Sequence, residues 1–342
     1  MKSISTPVWT AEILELPLRY SWNISRNSST VKYNLIVRIQ IGNDLYYGEA
    51  APNVRYGETI ELLSAQWEHF LKAVDDRWWD DADQLHRVME ELNLAYALRF
   101  GIESAYVHAR MDKDSTFFKQ YTGLDLHTHA VATSYTIPIL DPGKIQEFIT
   151  SHDLTRFESL KIKTNSDNQE DMIKWTAKYY AGPLRIDANE AWTNPDDLLR
   201  NLEFCKKNRI EFIEQPFPSD YQEEYKYLKP ISPMPVFADE SVTHHPQLEE
   251  FQKLFHGINM KLMKAGSYRE GAHILLNAKR LGFKTMVGCM VETTLGIRSG
   301  VWISGIADYV DLDGCFVIDN ERFNLVSENR GRLFINSRKF FL

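Results

Sequence analysis

Cysteine is scarce: the 342 residues hold three, Cys205, Cys289 and Cys315, with no CxxC spacing. An odd number so placed argues against a disulfide framework and supplies no thiolate set for zinc. Long apolar runs are also absent. No stretch approaches the roughly 20 residues that a bilayer span requires, and Met1-Lys2-Ser3-Ile4-Ser5 leads into no signal-peptide core. Positive charge is in deficit, with 39 Lys and Arg against 47 Asp and Glu and a net charge of −8. The clustered bases that a nucleic-acid or anionic membrane surface needs are therefore missing. These absences lead us to expect a cytoplasmic globular protein with neither a nucleic-acid nor a membrane partner. A homo-oligomer is compatible with all of them.

The chain is long enough for one large domain or two unequal ones. Its first part reads as β-rich: Val31–Ile39 alternates like a strand, and a turn at Gly42-Asn43-Asp44 precedes Leu45–Glu49. Between Val8 and Val31, the polar stretch Ser21–Ser29 reads as a lid-like loop carrying Arg26. Helical spacing follows over Glu58–Val74, Ala82–Asn93 and Ala95–Lys113. A small sheet followed by helices predicts an α+β domain over residues 1–127.

From Ala130 the pattern becomes alternation of short strands and amphipathic helices. Eight strand-like runs are spaced along the chain: 132–137, 159–163, 184–187, 210–214, 234–239, 257–262, 284–289 and 309–313. This spacing predicts a parallel barrel over 128–315, whose site would gather at the C-terminal ends of its strands. The turn-rich segment 316–342 is expected to pack back onto the first domain.

Three successive runs end on an acid: Asp187 in Leu184-Arg185-Ile186-Asp187-Ala188-Asn189, Glu214 in Ile210–Gln215, and Asp239 in Met234–Glu240. A lone acid after a strand usually caps a helix or makes a salt bridge. Three in succession point instead to a hard dication, Mg²⁺ rather than zinc, because no His or Cys joins them. His127, His129, His244 and His245 read as loop or surface residues. In Lys161-Ile162-Lys163 the period-two alternation puts both ammonium groups on one strand face. An edge strand with solvated lysines is the bland reading. Facing a barrel mouth near a dication, such a lysine is expected to have the lowered pKa that suits a general base. Lys261, on the sixth strand, would stand across the barrel, so that two lysines address opposite faces of one carbon. Lys264 falls beyond that strand and reads as structural.

Taken together with Asp239-Glu240-Ser241, Asn259–Gly266, Met286–Glu292 and Asp311-Leu312-Asp313, these motifs resemble those of the enolase superfamily. The likeness is to the muconate-lactonizing branch, and within it to the dipeptide epimerases. The resemblance implies an α/β fold: a modified (β/α)₇β TIM-type barrel beneath an N-terminal α+β capping domain completed by the C-terminal tail. It implies Lys163 and Lys261 as the two acid/base residues, Lys161 as a stabiliser of enolate charge, and Mg²⁺ on Asp187, Glu214 and Asp239. A dipeptide substrate would place its ammonium against Asp311 and Asp313, whose spacing points both to one side. Thr136, Cys289 and Arg26 complete the substrate-binding candidates, Arg26 as a reader of an acidic second residue. The chain departs from the family at Gly266-Ser267, where Gly-Gly is usual, and at Cys289, where Ser is frequent. Sister activities remain open on the same lysines: o-succinylbenzoate synthase, muconate cycloisomerase and N-acylamino-acid racemase. A Schiff-base aldolase and a non-catalytic binding barrel stay open as further classes.

Overall fold

The computed structural model describes residues 7–23, 28–74, 79 and 81–336. Three antiparallel strands come first, β1 (Val8–Asn23), β2 (Ser28–Ile41) and β3 (Asp44–Ala50), side by side in that order. A two-residue turn at Gly42 (φ 62°) joins β2 to β3. The second half of β2 is buried on both faces: Val37 and Ile39 join the main core, and Ile36 packs with Leu295, Phe323 and Leu325 behind the sheet. Most of the polar stretch expected as a loop is strand, since β1 runs to Asn23, β2 starts at Ser28, and Trp22 pairs with Ser29. Backbone pairing continues past the point where apolar alternation stops, which is why the pattern missed it. Arg26 lies outside the described residues.

Four helices follow: α1 (Ile60–Ala73), α2 (Ala82–Glu91), α3 (Tyr96–Lys113) and α4 (Phe117–Thr122). The Thr59 side chain caps α1 by accepting from the Leu62 amide, and Leu63, Trp67 and Phe70 form its buried stripe at steps of four and three. Helix α3 is buried on every face from Ala97 to Ala109, because it lies between the sheet and the barrel. On the sheet side the approach is backbone to backbone. A Cβ on Gly48 would stand 2.0 Å from the Gly101 carbonyl oxygen and 2.8 Å from the Ala105 nitrogen.

The barrel strands are β5 (Ser134–Ile137), β6 (Ser159–Lys163), β7 (Leu184–Asp187), β8 (Ile210–Glu214), β9 (Val236–Ala238), β10 (Gly257–Lys261), β11 (Lys284–Gly288) and β12 (Tyr309–Asp311), preceded by the short β4 (Val131–Ala132). All eight are parallel and lie in sequence order from β5 to β12. Side chains complete the ring where β5 meets β12: Ser134 Oγ donates to Asp311 Oδ1 at 2.5 Å, and Thr133 Oγ1 accepts from the Leu312 amide at 2.8 Å. Helices α5 (Ile145–Ser151), α6 (Gln169–Tyr179), α7 (Pro195–Cys205), α8 (Gln222–Leu228), α9 (Leu248–Phe251), α10 (Leu262–Ala265), α11 (Tyr268–Arg280) and α12 (Thr294–Ile303) connect the strands. As its Asn-Pro-Asp-Asp sequence predicts, α7 is capped by Asn194 and has Pro195 in its first turn. Phe212, Phe237, Met286 and Tyr309 plug the bottom of the barrel, and Arg185 lies over Phe212 and Tyr309.

Beyond β12 the chain returns to β1. The Arg19 amide donates to Val317, the Asp319 amide donates to Pro17, and Phe323 and Leu325 pack near Leu14 and Tyr47. A hairpin of β13 (Val326–Asn329) and β14 (Arg332–Ile335) then pairs with β4. One chain segment thereby fastens sheet and barrel together.

The sheet position depends on Gly48. Replacement by Ala forces the new methyl against fixed backbone atoms and should cost about 3 kcal/mol or more. A denaturant midpoint unchanged in Gly48→Ala would show that β3 and α3 can part.

Candidate active site

A cavity of about 410 Å³ opens where the sheet faces the C-terminal ends of the barrel strands. Lys161, Lys163, Asp187, Asp239, Lys261, Asp311 and Asp313 all line it, as do Thr136 and Cys289. The strand register explains the convergence, since Lys163, Asp187 and Glu214 stand in line across β6, β7 and β8. Glu214 lies below them, fully buried.

The charges are arranged around Lys161. Its Nζ lies 2.8 Å from Glu214 Oε2, 3.1 Å from Asp187 Oδ2 and 2.9 Å from Asp311 Oδ2. Lys163 Nζ donates to Asp187 Oδ2 at 2.9 Å and Asn189 Oδ1 at 3.0 Å. Across the ring, Lys261 Nζ donates to Asp239 Oδ2 at 2.8 Å, and Lys264 Nζ holds Oδ1 of the same aspartate at 2.6 Å. Lys264 is thus a buried support of Asp239.

These partners set the protonation states. Burial alone would lower the pKa of Lys161, but Asp187, Asp311 and Glu214 outweigh it and hold the ammonium well above its ordinary value. The same contest, won by Asp239, raises Lys261. The lowered value expected on β6 is for a lysine beside a dication; with carboxylates alone around it, Lys161 is held high. For Lys264 burial prevails over Asp239, and its pKa is lowered. Burial pushes Glu214 up to about 8 against the pull of Lys161, whereas Lys161 and Lys163 overcome burial at Asp187 and hold it low.

Asp311 and Asp313 are not equivalent. Asp311 is committed to Lys161 and Ser134 and held below the usual carboxylate range. Asp313 accepts the Thr136 amide at 2.6 Å and is pushed up to about 6, first by burial and then by Asp311. Cys289 accepts from the Gly314 amide and its thiol donates to the Asp311 carbonyl. Burial raises that thiol and keeps it protonated at the cavity wall.

Several contributors were not singled out from the sequence. Asn259, two residues before Lys261 and so on the same strand face, donates to Glu214 Oε1 at 2.7 Å. Gln215 ties β8 to β9 by accepting from the Asp239 and Ser241 amides. Asn189, Glu190 and Gln215, which follow two of the acid tips, all have positive φ (43°, 64° and 38°). Non-glycine residues hold that region only when their surroundings impose it, as functional sites do. From the cap side, Arg55 grips Glu190 with two hydrogen bonds of 2.7 Å, and Trp22 lies 5.9 Å from Lys163 Nζ. His244, His245 and Glu270 also cluster, but outside this cavity. Ala265 and Glu270 occupy the two imidazoles.

A family model described as enolase C-terminal domain-like matches residues 145–312. The L-Ala-D/L-Glu epimerase of Bacteroides thetaiotaomicron is 30% identical over 328 residues, covering 94% of this chain and 84% of the relative. The chain belongs to the enolase superfamily. Within the superfamily, an L-Ala-D/L-amino acid epimerase of Flavobacterium johnsoniae is 29% identical, with 89% of each protein covered. A solved enolase family member from Agrobacterium tumefaciens, with homology to dipeptide epimerases and with bound sodium and L-Ala-L-Glu, aligns at a TM-score of 0.86. That alignment is 26% identical and spans 98% of this chain and 100% of the other. The L-Ala-D/L-Glu epimerase from Bacillus subtilis shares the fold at a TM-score of 0.87 and 22% identity, covering 97% of this chain and 96% of that one.

The residues present fit the cation expected in this superfamily. Asp187, Glu214 and Asp239 offer only oxygen ligand atoms on three adjacent strands, the donor set a hard dication takes, with the Lys161 ammonium now against Glu214 Oε2.

Beside the cavity, burial and then Glu49 push Glu292 up to about 8. Between pH about 5 and 8 the folded protein therefore keeps a proton that the unfolded chain has released, and stability falls as pH rises through that window. Glu58 and Glu103, each raised to about 7 by burial, act in the same direction. Glu292→Gln should make the loss of stability from pH 5 to pH 8 smaller than in the wild type. A slope identical to wild type would mean that Glu292 is ionised in the fold.

Proposed function

We propose that this enzyme is a Mg²⁺-dependent dipeptide epimerase that inverts the α-carbon of the second residue by two-base proton transfer. The observation that carries the reading is the pair Lys163 and Lys261. They enter one cavity from β6 and β10, four strands apart in an eight-stranded ring, and so approach a bound carbon from opposite sides. One lysine, unprotonated, takes the α-proton and the other, as an ammonium, returns a proton to the opposite face. The roles exchange for the reverse reaction. Lys161 stays charged and stabilises the negative charge that develops on the carboxylate as the proton leaves. Asp187, Glu214 and Asp239 would hold Mg²⁺, which would supply further positive charge to stabilise the enolate. Lys264, Asn259 and Gln215 hold that acid set in place.

Asp313 supports a dipeptide over an acylated substrate. Its carboxylate is buried next to Asp311, and a substrate ammonium is the charge that relieves this repulsion. The sister reactions bring a further carboxylate or no cation to that corner. The relatives named as dipeptide epimerases support the same choice. We also propose that residues 1–127 act as the cap and 128–315 as the catalytic barrel, with 316–342 joining them. A cytoplasmic location is supported by three free cysteines and by the lack, among the described residues, of any helix long and apolar enough to cross a membrane.

In D₂O with Mg²⁺, wild-type protein should exchange the α-proton of L-Ala-L-Xaa dipeptides and produce the L-Ala-D-Xaa isomer. Lys163→Ala and Lys261→Ala should each lower epimerisation by about 10²–10⁴-fold, while one isomer still exchanges in each variant. A wild-type rate in either would end the two-base mechanism. Chelation or Asp239→Asn should abolish turnover, and N-acetylation of the dipeptide should lower kcat/KM sharply through Asp313. Equal kcat/KM for free and acetylated substrates would favour the acyl-amino-acid racemase reading.

A further inference from the structure

Four lysines line the cavity, and three are matched by acids: Lys161, Lys163 and Lys261 each have a carboxylate oxygen within 3.1 Å. Lys32 is different. It stands on β2, two residues before Asn34 and so on the same strand face, half-buried in the cap wall of the cavity beside Val31 and Tyr33. No acid among the described residues pairs with it. The two glutamates that share this wall are engaged elsewhere: Glu58 accepts from the Asn53 and Ala97 amides, and Glu61 is held by its own helix start. Burial lowers the Lys32 pKa, and no neighbouring charge restores it. A partly desolvated cation facing an enclosed space is costly unless an anion completes it.

The direction it faces says where that anion belongs. The reacting carbon must lie between Lys163 and Lys261, its carboxylate by Lys161 and the substrate ammonium by Asp313, all on the barrel side. What remains to point toward the cap is the side chain on the reacting carbon.

We propose that Lys32 is a specificity-determining residue that selects dipeptides whose second residue bears a side-chain carboxylate, Glu or Asp. The proposal rests on the epimerase reading and adds the substrate class to it. Lys32 pairs with the side-chain carboxylate as a charge-assisted hydrogen bond, and replacing that group by an uncharged amide forfeits the ion pair while keeping shape. Arg55 cannot take this part, because Glu190 already holds its guanidinium.

The test compares kcat/KM for L-Ala-L-Glu and L-Ala-L-Gln, which differ in charge and hardly in size, with L-Ala-L-Leu as an apolar control. Wild type should favour Glu over Gln by at least tenfold. Lys32→Met should lose at least tenfold on L-Ala-L-Glu, chiefly in KM, and change little on the other two, so the neutral substrates report that the variant is folded. Lys32→Arg should recover most of the preference. An equal loss on Glu and Gln would assign Lys32 to cap structure, and a wild type active on all three without preference for Glu would overturn the selection outright. Wild type inert toward every dipeptide would instead overturn the epimerase reading, a result distinguishable from both.

Discussion

The cost of burying charge organises this molecule. Asp187, Glu214 and Asp311 converge from three strand ends and would repel one another if left alone, and Lys161 in their midst makes the cluster tenable. Every nearby polar group follows from that constraint: Asn259 beneath Glu214, Ser134 beside Asp311, and Lys264 behind Asp239. Each holds an oxygen in a fixed direction. The resulting layer is preorganised, so charge developing on a substrate meets dipoles and ammonium groups already aimed at it.

Apolar packing serves the same layer from two sides. Below, the aromatic plug of Phe212, Phe237 and Tyr309 closes the barrel to water, and Arg185 is accepted there because Glu211 and the Val310 carbonyl engage its guanidinium. Above, the cap is held at several points. Glu49 accepts from Thr293 and from the Gly296 amide, Asn34 donates to the Val291 carbonyl, and Arg55 reaches Glu190. These bonds fix the loops that bear Met290 and Val291 against the sheet.

Much of this was legible in the sequence. Apolar runs ending in Asp187, Glu214 and Asp239 point to both the strand and the chemical tip, because three in succession are more than helix capping or a chance salt bridge explains. Lys161 and Lys163 are readable through period-two geometry. The supports were harder to see, since they join distant residues: Ser134 meets Asp311 across 177 positions and Arg55 meets Glu190 across 135. Lys264 read as structural, but its partner Asp239 lies in another βα unit and could not be named from the sequence. Lys32 carried no signal in the sequence, because the cavity it lines is made with residues far along the chain. The Ser21–Ser29 stretch misled for a different reason, as backbone pairing leaves no hydrophobic signature.

The pinning of β2 is uneven, and this has a consequence for how the protein can change. From Asn34 onward the strand is locked by buried side chains and by Glu49, whereas Lys32, on the face of Asn34, lines the cavity only half-buried. Lys163 and Lys261, the proposed proton-transfer pair, sit instead on barrel strands. Under the proposed reading, recognition and reaction are written on different stretches of chain, so a new substrate can be admitted by exchanging a cap residue such as Lys32 while the lysines of the barrel are left alone.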